Sequence, residues 1–325
     1  MSRPASQPVN TAVSPLEQAM RDYLRLRQGL GHQMADAARL LPSFVAFLEA
    51  RDVTTVTIEA ALQWCQQPAP VGGLTVAPRR MTAARGFARY LAGIDPATQI
   101  PPVGLVPLHH QRPTPFLYSD ADITRLLAAA RALAPESRGL TYYTLLGLLA
   151  ATGMRIGEAI ALDLGDVDHQ QAVLLIRESK FGKSRLVPLH PSVMTALHDY
   201  VRARADFRPP AREPSVFVGR TGKRLIYQVV AQTFRQLLTD TGVGTDAPRR
   251  PRLHDLRHRF AILTLVGWYR SDEPVQPKLP VLSTYLGHRE PSSTYWYLSA
   301  APELLALAAA RRDQTRPGAQ RGGRS

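Results

Sequence analysis

The stretch LGHREPSSTYWYL, residues 286 to 298, sets His288 nine residues before Tyr297, with Pro291 between them, near the end of the chain. Proline lacks the backbone donor and clashes with the preceding turn, so no single helix runs from the histidine to the tyrosines Tyr295 and Tyr297. Taken alone, two tyrosines and Trp296 at this spacing would line a core. The motifs upstream change that reading.

LHDLRHRF, residues 253 to 260, puts His254, Arg257 and His258 on one helix, where positions i and i+3 lie side by side. Histidines at i and i+4 would suit zinc on an HExxH helix. Here the inner residue is Asp255, and Arg257 would set a permanent cation beside a dication, so no metal is expected. Further upstream, AVLLIRES and SRLVPLH alternate like two strands around a short Gly turn, a β-hairpin with Lys180 and Lys183 flanking the turn. Before the hairpin, ATGMRIGEAIAL places Arg155 just after the helix-ending Gly153 and Glu158 one turn further on, on the same face.

The chain has 325 residues, enough for two domains that each bury a core. A formal charge of +14 favours a polyanionic partner over a neutral metabolite. Among 40 basic residues the only lysines are Lys180, Lys183, Lys223 and Lys278, so each lysine position asks for a reason. The lone Cys65 excludes a disulfide framework and any cysteine-rich zinc module. The amino terminus has no apolar signal-peptide core, and no run reaches the roughly 18 apolar residues of a membrane span. A soluble cytoplasmic protein with no membrane partner is expected.

Residues 13–95 read as helices throughout, and the last pattern, APRRMTAARGFARYLAG, carries Arg79, Arg80, Arg85 and Arg89, which suit a phosphate-facing surface. Residues 96–118 are rich in proline without a helical period and read as an extended linker. Helical patterns resume at 119. After the hairpin they run from about 190 to 207, 227 to 241, 254 to 269, and through the final motif to 311. The predicted fold class is mainly α with a small β-sheet or hairpin in the second domain, residues 119–311. The polar ends, 1–12 and 312–325, read as flexible.

The ordered set Arg155, Lys180, His254, Arg257, His288 and Tyr297 resembles the active site of the tyrosine recombinases, the phage integrase family. The motifs follow the family's order over residues 117 to 311, and residues 13–95 resemble its core-binding domain more loosely. The resemblance implies a two-domain recombinase with Tyr297 as nucleophile, Tyr295 as a neighbour, and Arg155 and Arg257 on the scissile phosphate. His254 and His288 would hydrogen-bond that phosphate, with His254 also accepting the Tyr297 proton. Lys180 would protonate the leaving 5′ oxygen, Glu158 and His258 would support the site, and Lys183 would touch the DNA backbone.

That assignment is chemically coherent. Guanidinium forks hold phosphate oxygens but release no proton at neutral pH, whereas a lysine can. A phosphotyrosyl bond conserves the energy of the cleaved diester, so no cofactor is expected. Implied partners are double-stranded DNA, further protomers up to a tetramer, and accessory recombination proteins on a bacterial nucleoid, in integration, excision or transposition. APELLALAAARR, residues 301 to 312, resembles the family's carboxy-terminal helix, which packs on a neighbouring protomer. Packing on its own domain is the alternative. A type IB topoisomerase would resemble Lys rather than His at position 254, and a non-catalytic DNA-binding relative would be expected to have lost some of the six residues.

Overall fold

The computed structural model describes residues 13–68, 76–106, 114–179, 183–271, 274–288, 290, 292–300 and 304–307. The chain divides into two compact units, Met1–Arg112 and Pro113–Ser325. Among the described residues no helix is long and apolar enough to cross a membrane.

In the first unit, α1 (Pro15–Gly29) starts where the Ser14 hydroxyl accepts the Glu17 amide at 3.0 Å and proline takes the first helical position. It is followed by α2 (Ala35–Glu49), α3 (Ile58–Gln66) and α4 (Val76–Leu91). Phe44, Trp64 and Phe87 are fully buried at the centre, with Phe44 and Trp64 rings 4.6 Å apart.

Two expectations change in this unit. Arg80 is buried, lies over the Trp64 ring and donates to the carbonyls of Trp64 (3.2 Å) and Gln67 (2.6 Å), so it closes the open end of α3 instead of facing a phosphate. The start of the proline-rich stretch is not a free linker. Gln99 donates to Val56 O at 2.7 Å, and Arg85 reaches Pro101 O and Pro102 O at 2.7 and 2.8 Å. Arg79 pairs with Asp36, and Arg89 is exposed.

In the second unit, α5 (Asp120–Arg131) and α6 (Glu136–Thr152) lead to the short α7 (Ile156–Ala161). A three-stranded antiparallel sheet follows: β1 (Val167–Asp168), β2 (Val173–Ser179) and β3 (Lys183–Pro188). The hairpin read from sequence is β2–β3, with Leu174 opposite Val187 and Ile176 opposite Arg185; β1 was not foreseen. Leu174, Ile176 and Val187 face the core, while Leu175 and Leu186 alternate outward.

Helices α8 (Pro191–Arg204), α9 (Tyr227–Thr241), α10 (Leu253–Arg270), α11 (Leu279–Leu286) and α12 (Ser292–Ala300) complete the unit. One core gathers α6, the sheet, α8 and α9, and a second gathers the distal half of α10 with α11 and α12. Leu304 is buried in this second core, so the described part of the carboxy-terminal segment packs on its own unit. The ends, residues 1–12 and 308–325, lie outside the described residues.

The turn out of α6 fixes how the site is built. Gly153 has φ +61°, and a Cβ there would stand 2.6 Å from the Phe260 ring, which stacks on Tyr285. Both the left-handed backbone and the missing volume therefore require glycine. Gly153→Ala is expected to destabilise this unit by roughly 1–3 kcal/mol, read as a lower urea midpoint of the full chain.

Candidate active site

Three arginines from three elements converge on one helix end. The carbonyls of Tyr285, Leu286 and Gly287, at the carboxy terminus of α11, each accept from a different guanidinium: Arg185 Nε at 2.8 Å, Arg257 Nη2 at 2.6 Å and Arg155 Nη2 at 2.8 Å. These carbonyls have no helical partner and carry the negative end of the helix dipole, so cations satisfy them twice over. Arg257 also donates to Gly153 O at 2.9 Å, joining the ends of α6 and α11.

Glu158 joins two of these cations. Its carboxylate accepts from Arg155 Nη1 at 2.7 Å and from Arg185 at 3.0 and 2.7 Å, and it caps α7 by accepting the Arg155 amide at 2.9 Å. Burial alone would raise its pKa, but hydrogen bonds from Arg185 and the Arg155 amide, together with the arginine charges, outweigh burial and hold it below the usual range. Gly287 makes the close approach possible: its φ is +66°, and a Cβ would lie 2.8 Å from the Arg185 guanidinium.

The first turn of α10 is fixed by the fully buried Asp255, which accepts the Arg252 amide at 2.8 Å. From this helix His254 and His258 meet edge to face at 4.6 Å between centroids. His258 Nδ1 lies 3.2 Å from the Tyr297 hydroxyl. His288 Nδ1 lies 2.8 Å from the hydroxyl of buried Thr294, and its ring stacks on Tyr297 at 6.1 Å. Tyr297 is only 2% exposed and belongs to this cluster, whereas Tyr295 is 46% exposed.

The charges leave the site short of an anion. Arg155, Arg185 and Arg257 bring three positive charges against the single carboxylate of Glu158. Burial and the neighbouring Arg155 push the Arg257 pKa down to about 10, still charged at neutral pH. His254 keeps an exposed edge, yet desolvation of its ring and the cations of Arg257 and Arg252 push its pKa down to about 4. Burial, His254 and the nearby arginines push His258 to about 3. Both histidines are thus neutral, able to accept protons, in a pocket whose fixed cations attract phosphate.

Of the residues picked out from sequence, Arg155, Glu158, His254, Arg257, His258, His288 and Tyr297 lie in this one region. Lys180 lies outside the described residues, as does the side chain of Lys183, whose backbone opens β3. Arg185 and Thr294 were missed. Arg185 shares a strand face with buried Val187, and an arginine on the buried face of an alternating strand must have a partner, so its signal was present in SRLVPLH.

The phage integrase family model matches residues 117–303. The chain belongs to the phage integrase family. This tyrosine recombinase is 45% identical over 306 residues to y4rB of Sinorhizobium fredii, whose name places it among integrases/recombinases, covering 92% of this chain and 97% of that protein. It is 31% identical to the tyrosine recombinase XerD of Caulobacter vibrioides, covering 79% and 81%. The crystal structure of the XerH site-specific recombinase bound to palindromic difH substrate superposes with a TM-score of 0.67 at 18% identity, over 94% of this chain and 86% of that one. That likeness confirms the mainly helical fold with its small sheet.

The shared carboxylate is open to a direct energetic test. Arg185→Met and Glu158→Gln, alone and together, should show non-additive losses of stability, with a coupling energy of about 1–3 kcal/mol in urea titrations, since each single change strands a buried charge. Additive losses would mean that the pair contributes nothing beyond its separate members.

Proposed function

We propose that this recombinase cleaves and rejoins double-stranded DNA at a specific site through a 3′-phosphotyrosyl bond to Tyr297. The observation that carries this reading is the buried Tyr297 hydroxyl beside neutral His258, in a site where three guanidiniums face one carboxylate. A scissile phosphate supplies the missing negative charge. Arg155 and Arg257 hold its non-bridging oxygens, where charge grows in the transition state, and His288 and His254 add hydrogen bonds. Lys180 on the hairpin protonates the departing 5′ oxygen. Because the phosphotyrosyl bond keeps the energy of the diester, a 5′ hydroxyl from a second strand reverses the step.

Exchange between two duplexes requires several protomers, and we infer a tetramer on DNA, with accessory proteins helping to assemble it. The first unit adds DNA contacts through exposed arginines such as Arg89, and Lys183 adds one from the hairpin. The reaction takes place on the nucleoid in the bacterial cytoplasm, and integration or transposition of a mobile element is the task we favour.

On a nicked suicide substrate, which loses the leaving strand and traps the intermediate, the wild type is expected to become covalently attached through Tyr297 even in excess EDTA. Tyr297→Phe should bind DNA without attaching. Attachment through Tyr295, or a requirement for metal, would refute the site assignment.

Lys180 is tested by replacing the bridging 5′ oxygen with sulfur, which departs as a stable thiolate without a proton. Lys180→Ala should be slowed by about 10²–10⁴ on ordinary DNA yet recover on the sulfur-bridged strand, whereas Arg155→Ala should stay slow on both. Recovery of Lys183→Ala instead would move the acid along the hairpin.

A further inference from the structure

We propose that His258, and not His254, takes the phenolic proton when Tyr297 attacks. The proposal rests on Tyr297 being the nucleophile and concerns how that residue is activated.

Geometry carries the assignment. A general base must lie within hydrogen-bond reach of the proton it removes, and His258 Nδ1 is 3.2 Å from the Tyr297 oxygen. The ring is held for this contact by α12, with the Trp296 centroid at 5.3 Å and the Tyr297 centroid at 5.5 Å, and by His254 edge-on behind it. His258 follows Arg257 directly on α10, and one residue is about 100° of helix rotation. Arg257 therefore reaches the α11 carbonyls while His258 turns to α12. His254 lies one turn earlier with more of its surface open, suited to a phosphate oxygen.

Protonation agrees with geometry. The charged and titratable groups near the His258 ring include His254, Asp255 and Arg257 on its own helix, Arg249 and Arg252 just before it, and Tyr297 on α12. Burial, His254 and these arginines outweigh any attraction from Asp255 on the same helix, so the ring is neutral at pH 7. Acceptance at Nδ1 requires the tautomer with its proton on Nε2, which the role assigns.

The step balances. As the bond from the Tyr297 oxygen to phosphorus forms, the phenolic proton passes to His258 Nδ1. The bond from phosphorus to the 5′ oxygen breaks, and that oxygen takes a proton from the general acid. In rejoining, the 5′ hydroxyl attacks and gives its proton back to the deprotonated general acid, the phosphotyrosyl bond breaks, and His258 returns its proton to Tyr297.

The test compares single-turnover attachment to the suicide substrate for the parent, His258→Asn, His258→Ala and His254→Asn, each with tyrosine or 3,5-difluorotyrosine at position 297. Asparagine keeps a hydrogen-bonding atom near Nδ1 but cannot take up the proton. Two ring fluorines make the phenol far more acidic, so its attack depends much less on a base. With ordinary tyrosine, His258→Asn should bind DNA like the parent but attach about 10²–10⁴-fold more slowly. With difluorotyrosine it should come within about tenfold of the fluorinated parent, whereas His254→Asn should keep its defect on both. His258→Ala carries the same comparison if the amide disturbs folding.

A His258→Asn rate within about threefold of the parent, a defect that fluorination leaves unchanged, or rescue of His254→Asn alone would each overturn the proposal. A parent that never labels Tyr297 would instead refute the nucleophile assignment itself.

Discussion

The site depends on the convergence of Arg155, Arg185 and Arg257 on three successive carbonyls at the end of α11. Each bond joins α11 to another element: the α6–α7 junction, the hairpin or α10. A buried guanidinium is costly to desolvate, and here that cost is offset by full hydrogen bonding, by the negative end of α11 and by Glu158 between two of the cations. One consequence is rigidity. The three guanidiniums are held in place by the protein's own backbone before any ligand arrives, so in the proposed mechanism little reorganisation is left for the moment of reaction.

The same arrangement explains why the region is more charged than stability alone would favour. Replacing a buried ion network with apolar side chains of similar volume is often neutral or stabilising, so the excess cation has to be explained by use. Arg257 illustrates this: its bonds run to the Gly153 and Leu286 carbonyls, neutral acceptors that position it without cancelling its charge. Arg155, by contrast, is half neutralised by sharing Glu158 with Arg185.

Much of this was legible in the sequence, because backbone rules wrote it there. The bounds of α9 and the β2–β3 pairing follow from helical period and strand alternation, and Gly153 stands where a left-handed turn ends α6. Arg80 was misread because α4 was judged by its basic content. Arg80 precedes Ala84 by one turn and Phe87 by two, on the apolar face, and so had to find partners inside. Residues 98–102 were misread for another reason. Prolines lack the donor but keep the carbonyl, and the Pro101 and Pro102 carbonyls hold Arg85 without leaving any periodic pattern. For Arg185 the local alternation showed that a partner was needed, but not which one, since its partners are 27 and 100 residues away in the chain.

In the mechanism proposed above, phosphate binding and proton transfer fall to chemically different groups in one small space. Arginine stays protonated and can only hold charge, while the imidazoles are neutral because the same arginines, with burial, disfavour their charged forms. A phosphate entering between them reverses that bias: its negative charge favours an imidazolium and raises the histidine pKa toward neutrality. The free protein thus sets Tyr297 beside a weak base. In that proposed mechanism, bound DNA strengthens the base and supplies the electrophile together, so Tyr297 becomes reactive only where there is a phosphate to attack.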